Sequence, residues 1–424
     1  MSVSEIPAKS LRYVPAIILL LLPPALGLAY MSFGIIYAGG LRSIVYDLSW
    51  LSFAFIFVAV SNFSKVSLVN VGRNLPRSYI FVFLVLAVVW IYTTTMVAVN
   101  PKMAYYTSGR GIVVILVGLA AAALKQVHGE KFTASIGWAL FGGAILHAPF
   151  LIWVYALEGQ NPEFDWLWGL PGYPSLRLYN HAVEAAIAAG VGLYFIRDRQ
   201  NTRHRALLAI GTVLLWAILF WGGARGAFFA LLSTFILLAA IVPHFLSRIW
   251  KFFLATMALG AGLSLLLPVP HPAYGIIGRI DKTLGSGSLN AASSDRLNIW
   301  SEAIDLFLER PLFGHGLVQY QRLVETLTSH TPEHVHNILF EALLSFGLIG
   351  TLALIYLLGK ILLSSAHHLR TTHENSDIPM LYVATTLLAH GFVSGTYFHM
   401  HSMITIALAL GLLLHTVVDG KQRN

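Results

Sequence analysis

The residues best able to do polar chemistry fall in three segments of an otherwise apolar chain. In WGGARGAFF, Arg225 stands among Gly222, Gly223 and Gly226, and glycines let a backbone approach a ligand closely. Two readings are open: a guanidinium that binds an anion, or an arginine at a helix end that snorkels to the headgroups. In SSDRLNIW, Ser293 or Ser294 is placed to cap a helix, so Arg296 falls in its first turn, where the helix dipole disfavours a cation. Either Asp295 compensates that charge, or a phosphate is held jointly by the guanidinium and the free helix amides. The third segment, HTPEHVHN, gathers His330, Glu333, His334 and His336, with His399 and His401 further on. A metal site, helix capping, and a neutral imidazole that removes a proton are all open for these histidines. Their spacing matches no helical HExxH motif, and the expectation is no metal. His336 is the favoured base because it directly precedes an apolar run. Glu184, Glu341, His147 and His390 lie inside apolar runs, where ionisable groups either carry function or pair to fix helix packing.

The elements that must position these residues are membrane helices. Of the 424 residues 57% are hydrophobic and 11% charged, and mean hydropathy is +0.71; soluble domains carry about 25% charged residues. The chain reads as an all-α integral membrane protein, and soluble α/β and β-sandwich folds are excluded. Apolar runs near residues 13–38, 46–62, 79–98, 109–125, 134–157, 179–196, 205–222, 226–246, 250–268, 337–362, 379–398 and 401–418 predict twelve transmembrane helices, the first retained rather than cleaved. Three parts follow: 1–268 with nine spans, a large, partly helical outer loop at 269–336, and 337–424 with three spans. An N-terminus inside puts 17 of the 27 basic residues on the inner side, which favours that orientation. The net charge of +8 therefore reports topology, and no nucleic-acid partner is expected. Without cysteine there is no disulfide, thiolate zinc site or cysteine nucleophile.

Within the outer loop, GSGSLNAASS is flexible by composition. Leu297, Trp300, Ile304, Phe307 and Leu308 then follow helical spacing until Pro311 and Gly314 end it. A shorter outer segment at 158–178 carries aromatics suited to a membrane interface.

Three stretches together, ARGA at 224–227, DRLNIWSEAIDLFLERPLFGHGL at 295–317 and HNILFEALLSFGLIG at 336–350, resemble the O-antigen ligase superfamily of bacterial envelope glycosyltransferases. That superfamily includes O-antigen ligases, O-antigen polymerases and protein O-oligosaccharyltransferases; the single dominant late loop is most similar to the ligases. The resemblance implies an inner-membrane enzyme working on the periplasmic face without cofactor. It would transfer O-antigen from undecaprenyl pyrophosphate to lipid A-core oligosaccharide with inversion. It assigns Arg225 and Arg296 to the pyrophosphate and His336 to the acceptor hydroxyl. Arg177, in LRLYNH, is a further phosphate contact, with Glu333 and His334 beside the base and Glu341 next in line. From a different class, a proton-coupled lipid or glycan transporter would use Glu184 and Glu341.

Overall fold

The computed structural model describes residues 13–37, 39–63, 68–196, 202–242, 244–270, 274–285, 287–324, 334–372 and 375–422. Among them all regular structure is helical. Helices α1 (Val14–Ser32), α2 (Gly39–Phe63), α3 (Leu68–Asn74), α4 (Arg77–Tyr92), α5 (Pro101–His128) and α6 (Glu130–Glu158) are followed by α7 (Leu176–Ile196), α8 (Thr202–Trp221), α9 (Arg225–Ile241) and α10 (Phe245–Leu265). The segment between α10 and the last helices carries α11 (Ile276–Leu284), α12 (Leu289–Ala292), α13 (Arg296–Glu309) and α14 (Tyr320–Val324). The chain closes with α15 (Ile338–Thr372), α16 (Ile378–Gly391), α17 (Met400–Leu413) and α18 (His415–Gln422).

Every apolar run read from the sequence overlaps a helix, and among the described residues eight helices are long and apolar enough by themselves to cross a membrane. Side chains such as Phe81, Val88, Ile91, Ile236 and Leu352 are exposed, an outward apolar surface that suits lipid and not water. Helix α7 is different, being buried along nearly its whole length between α6, α8 and α16. Its small residues, AAIAAG at 185–190, let neighbouring helices approach. Because protein surrounds it on every side, it can carry Asn180, His181 and Glu184 without presenting them to lipid.

Helix α15 is broken. Gly347 sits at φ 61°, ψ −168°, a conformation in effect reserved for glycine. The break frees backbone groups that PLFGHG takes up: Leu348 N–H donates to Pro311 O (2.8 Å) and Ile349 N–H to Leu312 O (3.2 Å). In return His315 N–H donates to Leu344 O (2.7 Å) and Gly316 N–H to Ser345 O (3.0 Å). Irregular backbone at this depth is tolerable because protein satisfies it. His315 also bonds Leu306 O through Nε2 (2.8 Å), so the segment splices α13 onto α15.

Three local expectations need correction. No serine caps α13: its N-cap is Asp295 in the left-handed region at φ 61°, and the Ser293 hydroxyl donates to Asn290 O (2.7 Å). GSGSLNAASS contains the helical turn α12, held where Ser288 Oγ accepts from Ala291 N–H (3.2 Å) and Asn290 O from Asp295 N–H (2.9 Å). In the 158–178 segment Trp166, Leu170 and Tyr173 are buried in the core, and Trp168 is the exposed aromatic.

Candidate functional site

Four arginines converge outside the helix bundle. Arg225 opens α9 after a tight turn, with Gly223 at φ 65° and its own N–H on Gly223 O (3.0 Å). A Cβ on Gly222 would meet the Asn180 amide at 2.9 Å, and one on Gly223 would meet Arg279 Cγ at 2.8 Å. These glycines therefore make room for particular neighbours. Helix α11 brings Arg279 in, pinned at its start by Gly275 N–H on Trp221 O (2.9 Å). Arg225 donates to the Thr283 hydroxyl, which donates onward to Arg279 O (2.6 Å). Arg296 begins α13, and Arg177 lies exposed in the first turn of α7.

Like charges dominate the electrostatics. Burial first, then Arg177, Arg225 and Arg279, lower the Arg296 pKa to about 10. Arg279 is also lowered, by burial and then by Arg225 and Arg177. Assembling four guanidiniums this closely is unfavourable by itself and becomes favourable around a polyanion. The Asp295 carboxylate is engaged elsewhere, accepting from Asn290 Nδ2 at 3.0 Å.

His336 is held beside this cluster in a strained backbone, φ 55°. The strain is fixed from both sides. Trp300 of α13 donates through Nε1 to Val335 O (3.1 Å), and Val335 N–H donates to Glu341 Oε2 (3.3 Å). Asn337 caps α15 by accepting from Leu339 N–H (2.9 Å) and Phe340 N–H (3.2 Å), and donates to Phe392 O (3.0 Å). Beneath, Ala303, Tyr320, Val324, Val335 and Leu344 form a small core joining the outer helices to α15. Burial, then Arg296 and Arg177, lower the His336 pKa to about 4, so its imidazole is neutral near pH 7 and able to accept a proton.

His334 is nearly enclosed, its ring 4.1 Å from that of His336 between centroids and stacked on Phe398 at 4.6 Å. Its pKa is well lowered by burial and then by His336 and His399. Glu333 and His330 lie outside the described residues. His401 sits deeper, against Trp50 at 4.5 Å, and His147 bonds Pro23 O at 2.9 Å. Glu341 is thus committed to holding Val335. Glu184 pairs with His390, its Oε1 2.7 Å from Nδ1. With His181 these two form the group, among the described residues, whose donor atoms fall within 4.8 Å of one another and so within reach of a metal; it is a different set from the outer histidines.

The structure therefore brings Arg177, Arg225, Arg296, His334 and His336 together and adds two members the sequence reading passed over. Arg279 was readable as one cationic position in IIGRIDKTL, whose Ile277, Ile280 and Leu284 turn outward. His181 lies three residues before Glu184, on one helical face, but nothing in the sequence points to His390 as their partner.

No curated protein matches the chain. Residues 210–355, from α8 into α15 and including Arg225, Arg279, Arg296 and His336, match the model of the O-antigen ligase family, and that match supports the chain's membership of the O-antigen ligase superfamily.

Proposed function

We propose that this chain transfers an O-antigen glycan from undecaprenyl pyrophosphate to lipid A-core oligosaccharide at the periplasmic face of the inner membrane, through twelve crossings and with both termini inside. Family membership implies glycosyl transfer between a lipid-linked glycan and a lipid acceptor. The observation that carries the finer reading is the gathering of four arginines beside a neutral imidazole. Arg225, Arg296, Arg279 and Arg177 hold the pyrophosphate and take up the charge that grows on it as its bond to the sugar breaks. His336 removes the acceptor proton while the acceptor oxygen bonds to the anomeric carbon, from the face opposite the leaving group. Inversion follows. With the leaving group neutralised by guanidiniums no divalent ion is needed. The transporter reading is disfavoured because Glu341, the second carboxylate it needs, is committed to Val335 N–H.

The test incubates purified protein with lipid-linked O-antigen and lipid A-core, in chelator. Product should form, and Arg225→Lys and Arg296→Lys should each impair it, since lysine lacks the bidentate fork. His336→Ala should lower the rate by about 10² to 10⁴. A wild-type rate in all three inserted variants, or activity restored only by a divalent ion, would sink the mechanism. Polymer growth on the lipid-linked glycan without lipid A-core would identify a polymerase, and transfer to protein an oligosaccharyltransferase.

A further inference from the structure

A path of ionisable side chains leads from His336 into the bundle. The His334 ring is 4.1 Å from that of His336, His399 is 5.9 Å from His334, His181 is 6.1 Å from His399, and His390 is 5.1 Å from His181, all between centroids. The path ends at Glu184, whose Oε1 is 2.7 Å from His390 Nδ1. Hydroxyls flank its middle: His181 reaches Ser402 Oγ at 3.1 Å through Nδ1 and Ser394 Oγ at 3.3 Å through Nε2. Gaps of this size are crossed by a direct hydrogen bond, a rotating hydroxyl or one water.

Three features distinguish this row from helix packing. Both ring nitrogens of His334 and the second oxygen of Glu184 are buried without a hydrogen-bond partner, the state of groups kept ready to receive a proton. Glycines clear the way for the rings: a Cβ on Gly226, next to Arg225, would meet His390 Nε2 at 2.6 Å, and one on Gly395 would collide with His334 Nε2. The path's own carboxylate, Glu184, lies at its far end, and Arg110, which donates to Phe398 O at 3.0 Å, faces His399 midway. Glu184 faces His390, and His181 faces His390, His399, His401 and His334.

The need for such a path follows from the site's charge. His336 is buried first and faces Arg296 and Arg177 second, so a proton accepted there stays unfavourable even where the donor offsets part of the arginine charge. We propose that His334, His399, His181, His390 and Glu184 form a proton relay that draws the acceptor's proton from His336 and stores it on Glu184. The acceptor O–H bond breaks toward His336, the oxygen–anomeric carbon bond forms, and the carbon–oxygen bond to pyrophosphate breaks with its electron pair going to pyrophosphate. Each imidazole passes one proton inward until Glu184 is a neutral acid. When the lipid pyrophosphate leaves, the proton returns along the same row to water.

The relay rests on the transferase reading, and its test separates the two. Glu184→Gln keeps shape and an oxygen for His390 but takes no proton. In full-length protein in lipid nanodiscs it should lower kcat about tenfold or more at unchanged donor KM. It should also enlarge the solvent deuterium isotope effect and be partly rescued by imidazole in the medium, two readouts that a packing defect does not move. His399→Asn, midway along the path, should behave alike and serves if Glu184→Gln does not insert. A wild-type kcat, or a loss with unchanged isotope effect and no rescue, overturns the relay, as does one equivalent of metal bound by wild type and lost with Glu184→Gln. Infrared titration supplies a readout independent of activity: a protonated-carboxyl band that grows in acid and is absent in Glu184→Gln. If the wild type makes no product the transferase reading fails, and absence of that band overturns the relay as well.

Discussion

His336 is a weak base while the arginines beside it are uncompensated, because burial and then the charges of Arg296 and Arg177 hold its pKa at about 4. A bound pyrophosphate offsets part of those charges and raises it toward the ordinary value of about 6.5, while burial still holds it below. Only the neutral ring accepts a proton, so activity falls as pH drops through whichever pKa applies. Since kcat/KM reports the free enzyme and kcat the complex, the acid limb of kcat should lie at higher pH than that of kcat/KM. Coincident limbs would mean that donor binding does not tune the base. Arg279 belongs to the same argument: Arg279→Ala should raise donor KM and, by removing a like charge, ease protonation of its neighbours. A wild-type KM would exclude it from the pyrophosphate site. That Arg225, Arg296 and His336 lie close together agrees with their being singled out, Arg225 by its neighbouring glycines and His336 by its place before an apolar run. Arg279 was visible only as one of two cations, with Lys282, on a short amphipathic helix, where such side chains are ordinarily solvated. Only Gly223, lacking a side chain against its Cγ, shows where it points.

At the scale of elements, the resemblance segments divide into chemistry and carpentry. ARGA and HN supply side chains to the site, whereas PLFGHG and SFGLIG bond to each other and set the angle at which α13 presents Trp300 to Val335. The run of apolar residues from 337 onward reads as one span, and nothing in its periodicity announces a break. The break depends on a partner segment that lies more than thirty positions away from Gly347 and is joined to it by backbone hydrogen bonds. Gly347→Ala should therefore damage the site without touching a functional group. Its φ of 61° costs a side chain about 1–3 kcal/mol, and the new Cβ would collide with the Leu312 carbonyl. Gly359→Ala, further along α15 where a Cβ meets nothing within 4 Å, should be neutral or slightly stabilising. Thermal unfolding in nanodiscs, with transfer rate alongside, checks both; equal melting temperatures for the two variants would contradict the splice.

At the scale of the whole molecule, the charge asymmetry that orients the chain and the charge cluster that serves the site are the same observation seen from two sides. In the proposed orientation the basic residues on the inner side are numerous and partly neutralised. Lys125, for example, is buried against Asp377, which also lies 3.3 Å from His415 and ties α5 to α16 and α18. In the proposed orientation the basic residues on the outer side are fewer, and four of them meet. The all-helical, membrane-spanning character was legible because it needed only local hydropathy, and eight of the helices described are long and apolar enough to cross a membrane. The central place of α7 was not, since burial by neighbours and burial by lipid select similar compositions, and only its Asn180, His181 and Glu184 hint that protein surrounds it. Orientation can be tested cleanly because the natural chain has no cysteine to confound labelling. Ser288→Cys, exposed just before α12, should react with a membrane-impermeant maleimide applied from the periplasmic side. Thr202→Cys, exposed at the start of α8, should react only after the inner membrane is opened. The reverse pattern would put the arginines and His336 in the cytoplasm, where a glycan already carried to the outer face could not reach them, and the proposed reaction would fall with the topology.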